Sequence, residues 1–132
     1  MNRQLTTWEG ELGSAYTDRN VVDWHARLPA FRRMLEGLPI GRILEVGCNR
    51  GHNLLALLEF LGQDCEIVGV EPNPYALELA RAASTKIGAL SGHVGDIPFR
   101  DGYFDLVFTA GVLIHIAPEN LPGALGQIYR VS

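Results

Sequence analysis

The sequence predicts an α/β fold in which helices cover both faces of a parallel sheet. Short apolar runs alternate with longer amphipathic runs, which is typical of strands joined by crossover helices. The strand-like runs are apolar throughout, as expected for strands buried on both faces. A chain of 132 residues can bury one hydrophobic core and is too short for a second. We therefore expect a single doubly wound domain, with a helical cap at 1–39 and the sheet at 40–132.

The predicted cap has helical patterns only. The stretch 1–20 mixes polar and aromatic residues and predicts short helical turns. From Asn20, a residue type that often caps a helix, apolar residues recur at spacings of three or four as far as Leu35. This pattern predicts an amphipathic helix that ends near Gly37 and bends at Pro29.

Four strand-like runs follow the cap. They are "RILEVGC", "CEIVGVE", a weaker run within "GALSGHVGDIPF", and the start of "YFDLVFTAGVLIHI". The helical runs are "HNLLALLEFLG", "NPYALELARAAS" and "PENLPGALGQIYRVS". Right-handed crossovers make such strands into a doubly wound sheet, whose ligand crevice lies at the carboxyl ends of the strands. Functional residues are therefore expected in the loops after Val46, Val70, Val94 and Thr109.

Composition and charge narrow the range of partners. The formal net charge is −4, the basic residues are scattered, and Lys86 is the only lysine. Such a chain lacks the basic surface that a nucleic-acid backbone requires. The sequence has neither a signal-peptide pattern nor an apolar run of membrane-spanning length. We expect a cytoplasmic protein that binds neither nucleic acid nor membrane.

The two cysteines do not form a disulfide framework. Cys48 is predicted at the end of one strand and Cys65 at the start of its neighbour, so they lie at opposite edges of the sheet. We expect two reduced thiols, as in a cytosol. Because CxxC, HExxH and Cys/His clusters are all absent from the sequence, a metal site has no support.

The loop after the first predicted strand, "EVGCNRG", holds glycines that allow a sharp turn close to a ligand. A nicotinamide motif G-x-G-x-x-G from Gly47 would need glycines in place of Asn49 and His52, and the Gly-Lys-Ser/Thr end of a P-loop is absent. An acidic-x-G-x-G-x-G pattern fits Glu45, Gly47 and Gly51, with Asn49 at the middle glycine. Asparagine tolerates positive φ, so we expect the turn to persist. Alternatively, the glycines serve only a tight strand-to-helix turn.

Carboxylates follow the second and third predicted strands. Glu71 is placed at a strand end to accept hydrogen bonds from a ribose diol, and Pro72 fixes the loop beyond it. Alternatively, Glu71 is a favourable charge at the start of a helix. Asp96 would accept from an adenine amino group while Ile97 covers the ring, although a lone aspartate in a turn is most often a turn former.

The loop after the fourth predicted strand combines small residues with a histidine. Thr109 and Gly111 leave room for a ligand. His115 is the histidine closest to this loop and is the candidate general base, since imidazole exchanges protons near neutral pH. A half-buried structural histidine at a helix start is an equally good interpretation.

With these loops in place, the chain resembles the class I S-adenosylmethionine-dependent methyltransferases. Their first four motifs look like "ILEVGCNRG", "VGVEPN", "VGDIPF" and "FDLVFTAGVLIHI", in that order. More narrowly, "WEGELGSAYTDRN", "EVGCNRGHNL" and "GVLIHIAPENLPGALGQIYRVS" look like methylases associated with the biosynthesis of pseudaminic acid and related surface polysaccharides. The resemblance covers nearly the whole chain and implies a Rossmann-like sheet with strand order 3-2-1-4.

The resemblance also implies S-adenosyl-L-methionine as cofactor and S-adenosyl-L-homocysteine as product. The methionine moiety would lie over the loop 47–51, with Tyr16 and Arg19 as candidates for binding its carboxylate. The adenine would lie between the loops that follow the second and third strands. The residues expected to contact the cofactor are Tyr16, Arg19, Glu45, Gly47, Asn49, Gly51, Glu71, Pro72, Asn73, Asp96, Ile97, Thr109 and Gly111.

Members of the resembled family continue past the last helix with further strands, whereas this sequence stops at Ser132. By this comparison the domain is shortened after the fourth strand and its helix. The fourth strand would then be an open apolar edge. We expect a homodimer in which this edge or the last helix of each protomer covers the other.

Three functions remain open from the sequence. The favoured one is a minimal methyltransferase for a small molecule such as a sugar or sugar nucleotide, with His115 as base when the acceptor is a hydroxyl or an ammonium. The second is a non-catalytic cofactor-binding module, or a subunit that needs a partner. The third is a hydrolase or lyase acting on the same sulfonium compound. The apolar "TAGVLIHI" with its histidine favours the first.

Overall fold

The computed structural model describes residues 3–62 and 64–132 and contains a four-stranded parallel sheet. The strands are β1 (Arg42–Val46), β2 (Glu66–Glu71), β3 (Gly88–Ser91) and β4 (Leu106–Thr109). Their order is β3-β2-β1-β4, and each neighbouring pair is parallel. The predicted α/β class and the strand order are confirmed.

Helices precede the sheet and connect its strands. They are α1 (Arg3–Glu9), α2 (Glu11–Arg19), α3 (Leu28–Leu35), α4 (His52–Leu61), α5 (Pro74–Ala83) and α6 (Leu121–Val131). Short 3₁₀ turns lie at Trp24–Arg27, Leu113–His115 and Pro118–Asn120. None of the helices in the described ranges combines the length and apolar character that crossing a membrane requires.

The sheet buries apolar side chains on both faces, because successive residues of a strand point to opposite sides. Ile43 and Ile67 pack with α3, α4 and α5 on one face. Leu44 and Val68 pack on the other face with α6 and the segment 94–104. This double burial explains why the strands read as continuous apolar runs.

The helix predicted from Asn20 begins later than expected. The 3₁₀ turn at 24–27 comes first, and it is capped by Asp23, whose carboxylate accepts from the backbone N–H of His25 at 3.0 Å. Pro29 lies in the first turn of α3 and has no N–H to donate to the His25 carbonyl. The missing donor interrupts the helical hydrogen-bond ladder, so a separate α3 replaces the long bent helix.

Strand β3 is shorter than predicted. It ends at Ser91 instead of Val94, and the chain then turns so that the backbone N–H of Asp96 donates to the His93 carbonyl at 3.0 Å. Only Ala89 of the four strand residues is buried, so β3 has little apolar surface to favour longer pairing. The early end of β3 changes which residues of this loop face the crevice.

The two cysteines lie at opposite ends of the strands, Cys48 just after β1 and Cys65 just before β2. Both are free, in agreement with the predicted reduced thiols, and both are buried. Burial raises the pKa of each thiol, which disfavours the reactive thiolate form.

Candidate functional site

A cavity of about 700 Å³ opens at the carboxyl ends of β1, β2 and β4. The loops after these strands form part of its wall, together with residues of α1, α2, the 3₁₀ turn at 24–27, the loop after β3, and the starts of α4 and α6. Cavities of this size hold ordinary small-molecule ligands and cofactors. The structure therefore brings candidate functional residues together at the carboxyl end of the sheet, where the sequence predicts them.

The loop after β1 turns through left-handed backbone conformations. The φ angles are 79° at Gly47, 49° at Asn49 and 88° at Gly51. Asn49 is the only non-glycine residue with positive φ in ranges 3–62 and 64–132, so the expectation that asparagine preserves the turn is confirmed. At Gly47 a Cβ atom would lie 2.4 Å from Cγ2 of Val112, which leaves no space for a side chain there.

The Asn49 side chain makes contacts that a glycine cannot make. Its Nδ2 donates to Oγ1 of Thr17 at 3.0 Å, and its Oδ1 accepts from Nδ2 of Asn20 at 3.4 Å. The neighbouring Arg50 donates to the backbone carbonyl of Thr17 at 3.0 Å. Because Thr17 is fully buried, these bonds fix α2 against the cavity wall.

Asn73, in the loop after β2, holds the junction between α1 and α2. Its Oδ1 accepts from the backbone N–H of Ala76 at 2.9 Å and caps α5. Its Nδ2 donates to the carbonyls of Trp8 at 2.9 Å and Gly10 at 3.3 Å. Helix α2 approaches this junction so closely that a Cβ atom on Gly13 would lie 1.9 Å from the Trp8 carbonyl oxygen. The α1–α2 junction is thus tied to β2.

Glu71, the last residue of β2, connects the two loops. Its Oε1 accepts from the backbone N–H of Asn49 at 2.9 Å, and its Oε2 accepts from that of Asn73 at 2.7 Å. Burial raises the pKa of this carboxyl, while the two backbone hydrogen bonds act to lower it. Each carboxylate oxygen has a second lone pair, so Glu71 keeps acceptor capacity toward a ligand in the cavity.

Glu45 carries an unpaired oxygen atom at the cavity wall. The residue is 2% exposed, and its Oε2 accepts from Nδ2 of Asn53 at 2.7 Å. Its Oε1 is buried without a hydrogen-bond partner among the described residues. Arg27 donates to Oδ1 of Asn53 at 2.6 Å. Burial raises the pKa of Glu45 to about 7, although the Asn53 hydrogen bond and the Arg27 charge lower it. A cation or donor in the cavity would satisfy Oε1 and favour the ionised carboxylate.

A sequence model of a family described as a methyltransferase domain matches residues 43–132, from the second residue of β1 to the end of the chain. The chain belongs to the class I, S-adenosylmethionine-dependent methyltransferase family.

The relatives that this chain matches are considerably longer than the chain itself. It is 32% identical over 113 residues to sterol 24-C-methyltransferase of Schizosaccharomyces pombe, a match that covers 81% of this chain and 28% of the relative. The crystal structure of the PH0226 protein from Pyrococcus horikoshii matches with a TM-score of 0.72 and 25% identity, over 89% of this chain and 57% of that one. CalS10, an aminopentose methyltransferase from Micromonospora echinaspora determined with S-adenosylmethionine bound, matches with a TM-score of 0.70 and 20% identity, over 91% of this chain and 51% of that one.

Nine of the predicted site residues line the cavity. They come from α2, from the ends of β1 and β2, and from the loops after β1, β2 and β4, which the parallel strands bring to the same end of the sheet. These nine are Tyr16, Glu45, Gly47, Asn49, Glu71, Pro72, Asn73, Gly111 and His115.

The loop after β3 presents different residues from those predicted. Asp96 is exposed at the turn, and Ile97 is 1% exposed within the core, so neither lines the cavity. His93, Val94 and Gly95 line it instead, because β3 ends early and the following turn displaces the predicted pair.

Three further predicted residues lie outside the cavity wall. Arg19 is exposed at the end of α2, whereas Arg27 and Arg50 are the arginines that line the cavity. Gly51 forms the left-handed turn that starts α4. Thr109 donates from Oγ1 to the Val46 carbonyl at 2.9 Å, which ties β4 to β1.

Sequence reasoning missed several residues of the cavity wall. Arg50 lies inside the glycine loop, so its position in the motif could have identified it as a cavity residue. Arg27 comes from the 3₁₀ turn before the sheet, and its link to Glu45 through Asn53 depends on tertiary contacts alone. Among the cavity-wall residues that were not predicted are Trp8, Arg27, Arg50, Asn53, Glu119 and Asn120.

Helix α1 spans the cavity between the loops after β2 and β4. Its end is tied to Asn73 as described above, and near its start Oε1 of Gln4 accepts from the backbone N–H of Ala117 at 2.7 Å. Between these points the Trp8 ring contacts the His115 ring, with centroids 4.8 Å apart. His115, the candidate general base predicted from the sequence, is exposed and lines the cavity.

Proposed function

We propose that this chain binds S-adenosylmethionine in the cavity and transfers the methyl group to a small-molecule acceptor, with S-adenosylhomocysteine as product. The observation that carries the proposal is the buried, unpartnered Oε1 of Glu45 at the cavity wall. The ammonium of an amino acid suits this oxygen, and Arg27 and Arg50 on the same wall suit the carboxylate. The wall thus has the complementary charges for the methionine moiety.

The other parts of the site suit the rest of the cofactor. Glu71 has free lone pairs for a ribose diol, and Gly47 presents backbone without a side chain. S-adenosylmethionine supplies an activated methyl group on a sulfonium, and its transfer to an acceptor oxygen or nitrogen leaves the sulfur neutral and releases one acceptor proton. His115 takes this proton at a ring nitrogen, while α1 and α2 limit the access of water.

For the acceptor we propose a small molecule of carbohydrate type. Three stretches of the chain look like methylases of surface-polysaccharide biosynthesis, and they include residues of α2, the glycine loop and the segment around His115. Two relatives are named for small acceptors, a sterol and an aminopentose.

The most direct test is transfer of a labelled methyl group. The purified protein is incubated with methyl-labelled S-adenosylmethionine, first alone and then with a small-molecule extract, and every labelled product is identified by mass. We expect label in one extract component. Breakdown of S-adenosylmethionine without an acceptor would favour hydrolase or lyase chemistry, binding without transfer would favour a binding module, and no binding would contradict the proposal.

We further propose that the protein is a homodimer. Strand β4 lies at the edge of the sheet and pairs only with β1 in the described chain. Helix α6, which packs near β4, exposes Leu125 and Tyr129. An uncovered strand edge beside apolar side chains favours self-association. Sedimentation at micromolar concentration should show a dimer, and a monomer alone would contradict this proposal.

A further inference from the structure

Four side chains on the β4 side of the cavity lie outside the hydrogen-bond network of the other walls. They are Trp8 from α1, His115 from the turn after β4, and Glu119 and Asn120 from the turn before α6, and we refer to them as the β4-side subsite. Within ranges 3–62 and 64–132, the side chains of His115, Glu119 and Asn120 have no hydrogen-bond or ion-pair partner. Their polar atoms are available to a ligand.

Two contacts between α1 and the loop after β4 hold this subsite together. Gln4 accepts from the backbone N–H of Ala117 at 2.7 Å, and one helical turn later the Trp8 ring contacts His115. Glu119 follows Ala117 by two residues. Trp8, His115 and Glu119 therefore line the cavity together without a bound ligand.

The charge of the β4-side subsite favours a cationic ligand over an anionic one. Glu119 is its one charged side chain. The two arginines of the cavity wall lie outside the subsite, where Arg27 bonds to Asn53 and Arg50 to the Thr17 carbonyl, and the proposed function assigns both to the carboxylate of the cofactor. A carboxylate or phosphate in the subsite would face an unpaired carboxylate without a cation to balance it, which is unfavourable.

The aromatic rings add a second preference for positive charge. The Trp8 ring meets the Tyr16 ring at 89° and the His115 ring at 59°. Aromatic rings in a cavity wall attract ammonium groups through the negative faces of the rings. A carboxylate in the same wall adds to the recognition of an amine.

We propose that the β4-side subsite binds the acceptor and that the methylated atom is the nitrogen of a primary or secondary amine. This rests on the proposed function, because the acceptor must share the cavity with S-adenosylmethionine. The amine enters as an ammonium held by Glu119 and the face of the Trp8 ring, and His115 takes one proton from it. The nitrogen lone pair then forms a bond to the methyl carbon as the carbon–sulfur bond breaks, with its electron pair kept by sulfur, and the product is a methylammonium.

The test compares three probes that share one ring and differ in one group: cyclohexylamine, cyclohexanol and cyclohexanecarboxylate. Each is titrated by calorimetry into the protein with and without saturating S-adenosylhomocysteine. We expect cyclohexylamine to bind at least tenfold more tightly than either other probe. In Trp24→Phe protein, where Trp8 is the remaining tryptophan, cyclohexylamine should also change the tryptophan fluorescence.

The variant Glu119→Gln should remove the preference for cyclohexylamine while the affinity for S-adenosylhomocysteine stays unchanged. Glu59→Gln is the matched control, because Glu59 is exposed on α4 and outside the cavity wall, and it should keep the preference. Equal or tighter binding of cyclohexanol or the carboxylate, or a preference that survives Glu119→Gln, would overturn the amine assignment alone. Failure of S-adenosylhomocysteine to bind would instead contradict the proposed function, and the probes would still report on the subsite in the cofactor-free protein.

Discussion

The two sides of the cavity differ in how their polar side chains are held. On the side formed by the loops after β1 and β2, Glu71, Asn49 and Asn73 hydrogen-bond to one another or to the α1–α2 pair. On the β4 side, His115 and Glu119 make no such bonds within the described residues. A preorganised wall suits a ligand of constant structure, whereas an open wall suits one that supplies the missing bonds itself. This difference supports the proposal that the cofactor binds on the first side and the acceptor on the second.

The largest effect is expected from His115→Ala on the open side. Turnover should fall about 10²- to 10⁴-fold, the usual range for losing a general base. Affinity for S-adenosylhomocysteine should stay unchanged, since the imidazole bonds to nothing on the cofactor side. His25→Ala is the control, because His25 is exposed and pairs with Asp23 outside the cavity. Unchanged turnover in His115→Ala would remove the base role.

The second effect concerns Glu45, whose Oε1 has no hydrogen-bond partner among the described residues although Glu45 lies on the preorganised side. Its pKa is raised from 4.5 to about 7, so the folded state holds this proton more tightly than the unfolded chain. The free energy of unfolding should therefore fall as pH rises from about 4.5 to about 7, by on the order of 3 kcal/mol from this group. Urea denaturation across this range should show the slope, and Glu45→Gln should reduce it.

S-adenosylmethionine sharpens this test, because an ammonium beside Oε1 favours the ionised carboxylate. Saturation with the cofactor should flatten the slope in the unaltered protein and leave Glu45→Gln unaffected. A slope that is the same with and without cofactor would contradict the contact between Glu45 and a cationic group.

The third effect is loss of cofactor affinity in Glu71→Ala. Removing a carboxylate that accepts charge-assisted hydrogen bonds should weaken S-adenosylhomocysteine binding by roughly 2 kcal/mol, measured by calorimetry. Glu59→Ala provides the comparison, since it removes an equivalent charge from the exposed face of α4. Wild-type affinity in Glu71→Ala would refute the ribose assignment.

The smallest effect concerns Asn49, which both adopts the left-handed backbone of the turn and bonds through its side chain to Thr17 and Asn20. Asn49→Gly keeps the turn but loses the bonds to Thr17 and Asn20, which should lower the free energy of unfolding by about 1 kcal/mol. Asn49→Ala loses the same bonds and also adopts positive φ unfavourably, for a further ~1 kcal/mol. Urea denaturation of both variants measures the difference. Equal stability of Asn49→Gly and the unaltered protein would show that the side-chain bonds are unimportant.

Features with a strong local signal could be predicted from the sequence. Strands β1 and β2 are apolar on both faces, and the positive φ at Asn49 follows from two flanking glycines and the tolerance of asparagine for that conformation. The strand order follows once the loops are aligned with a family. Local pattern and tertiary structure agree at these positions.

Features that depend on where an element ends or rotates could not be predicted. Gly13, Tyr16 and Asn20 line the cavity at helical spacings of three and four, and Arg19 lies beside this stripe and faces solvent. The early end of β3 depends on how little apolar surface the strand buries, which the pattern "GALSGHVGDIPF" does not reveal. Arg27 reaches the site only through Asn53, a contact that no local pattern encodes.

The hydrogen bond from Asn73 to the α1–α2 junction also bears on the order in which the helices dock during synthesis. Its amide bonds to the Gly10 carbonyl, 63 residues earlier in the chain. Ribosomes make the amino terminus first, so α1 and α2 emerge long before the residue that anchors them exists. These two helices must wait for the β2 loop to be translated and can dock only afterwards. Two helices that are translated before the sheet therefore reach their native position only after its second strand has been made.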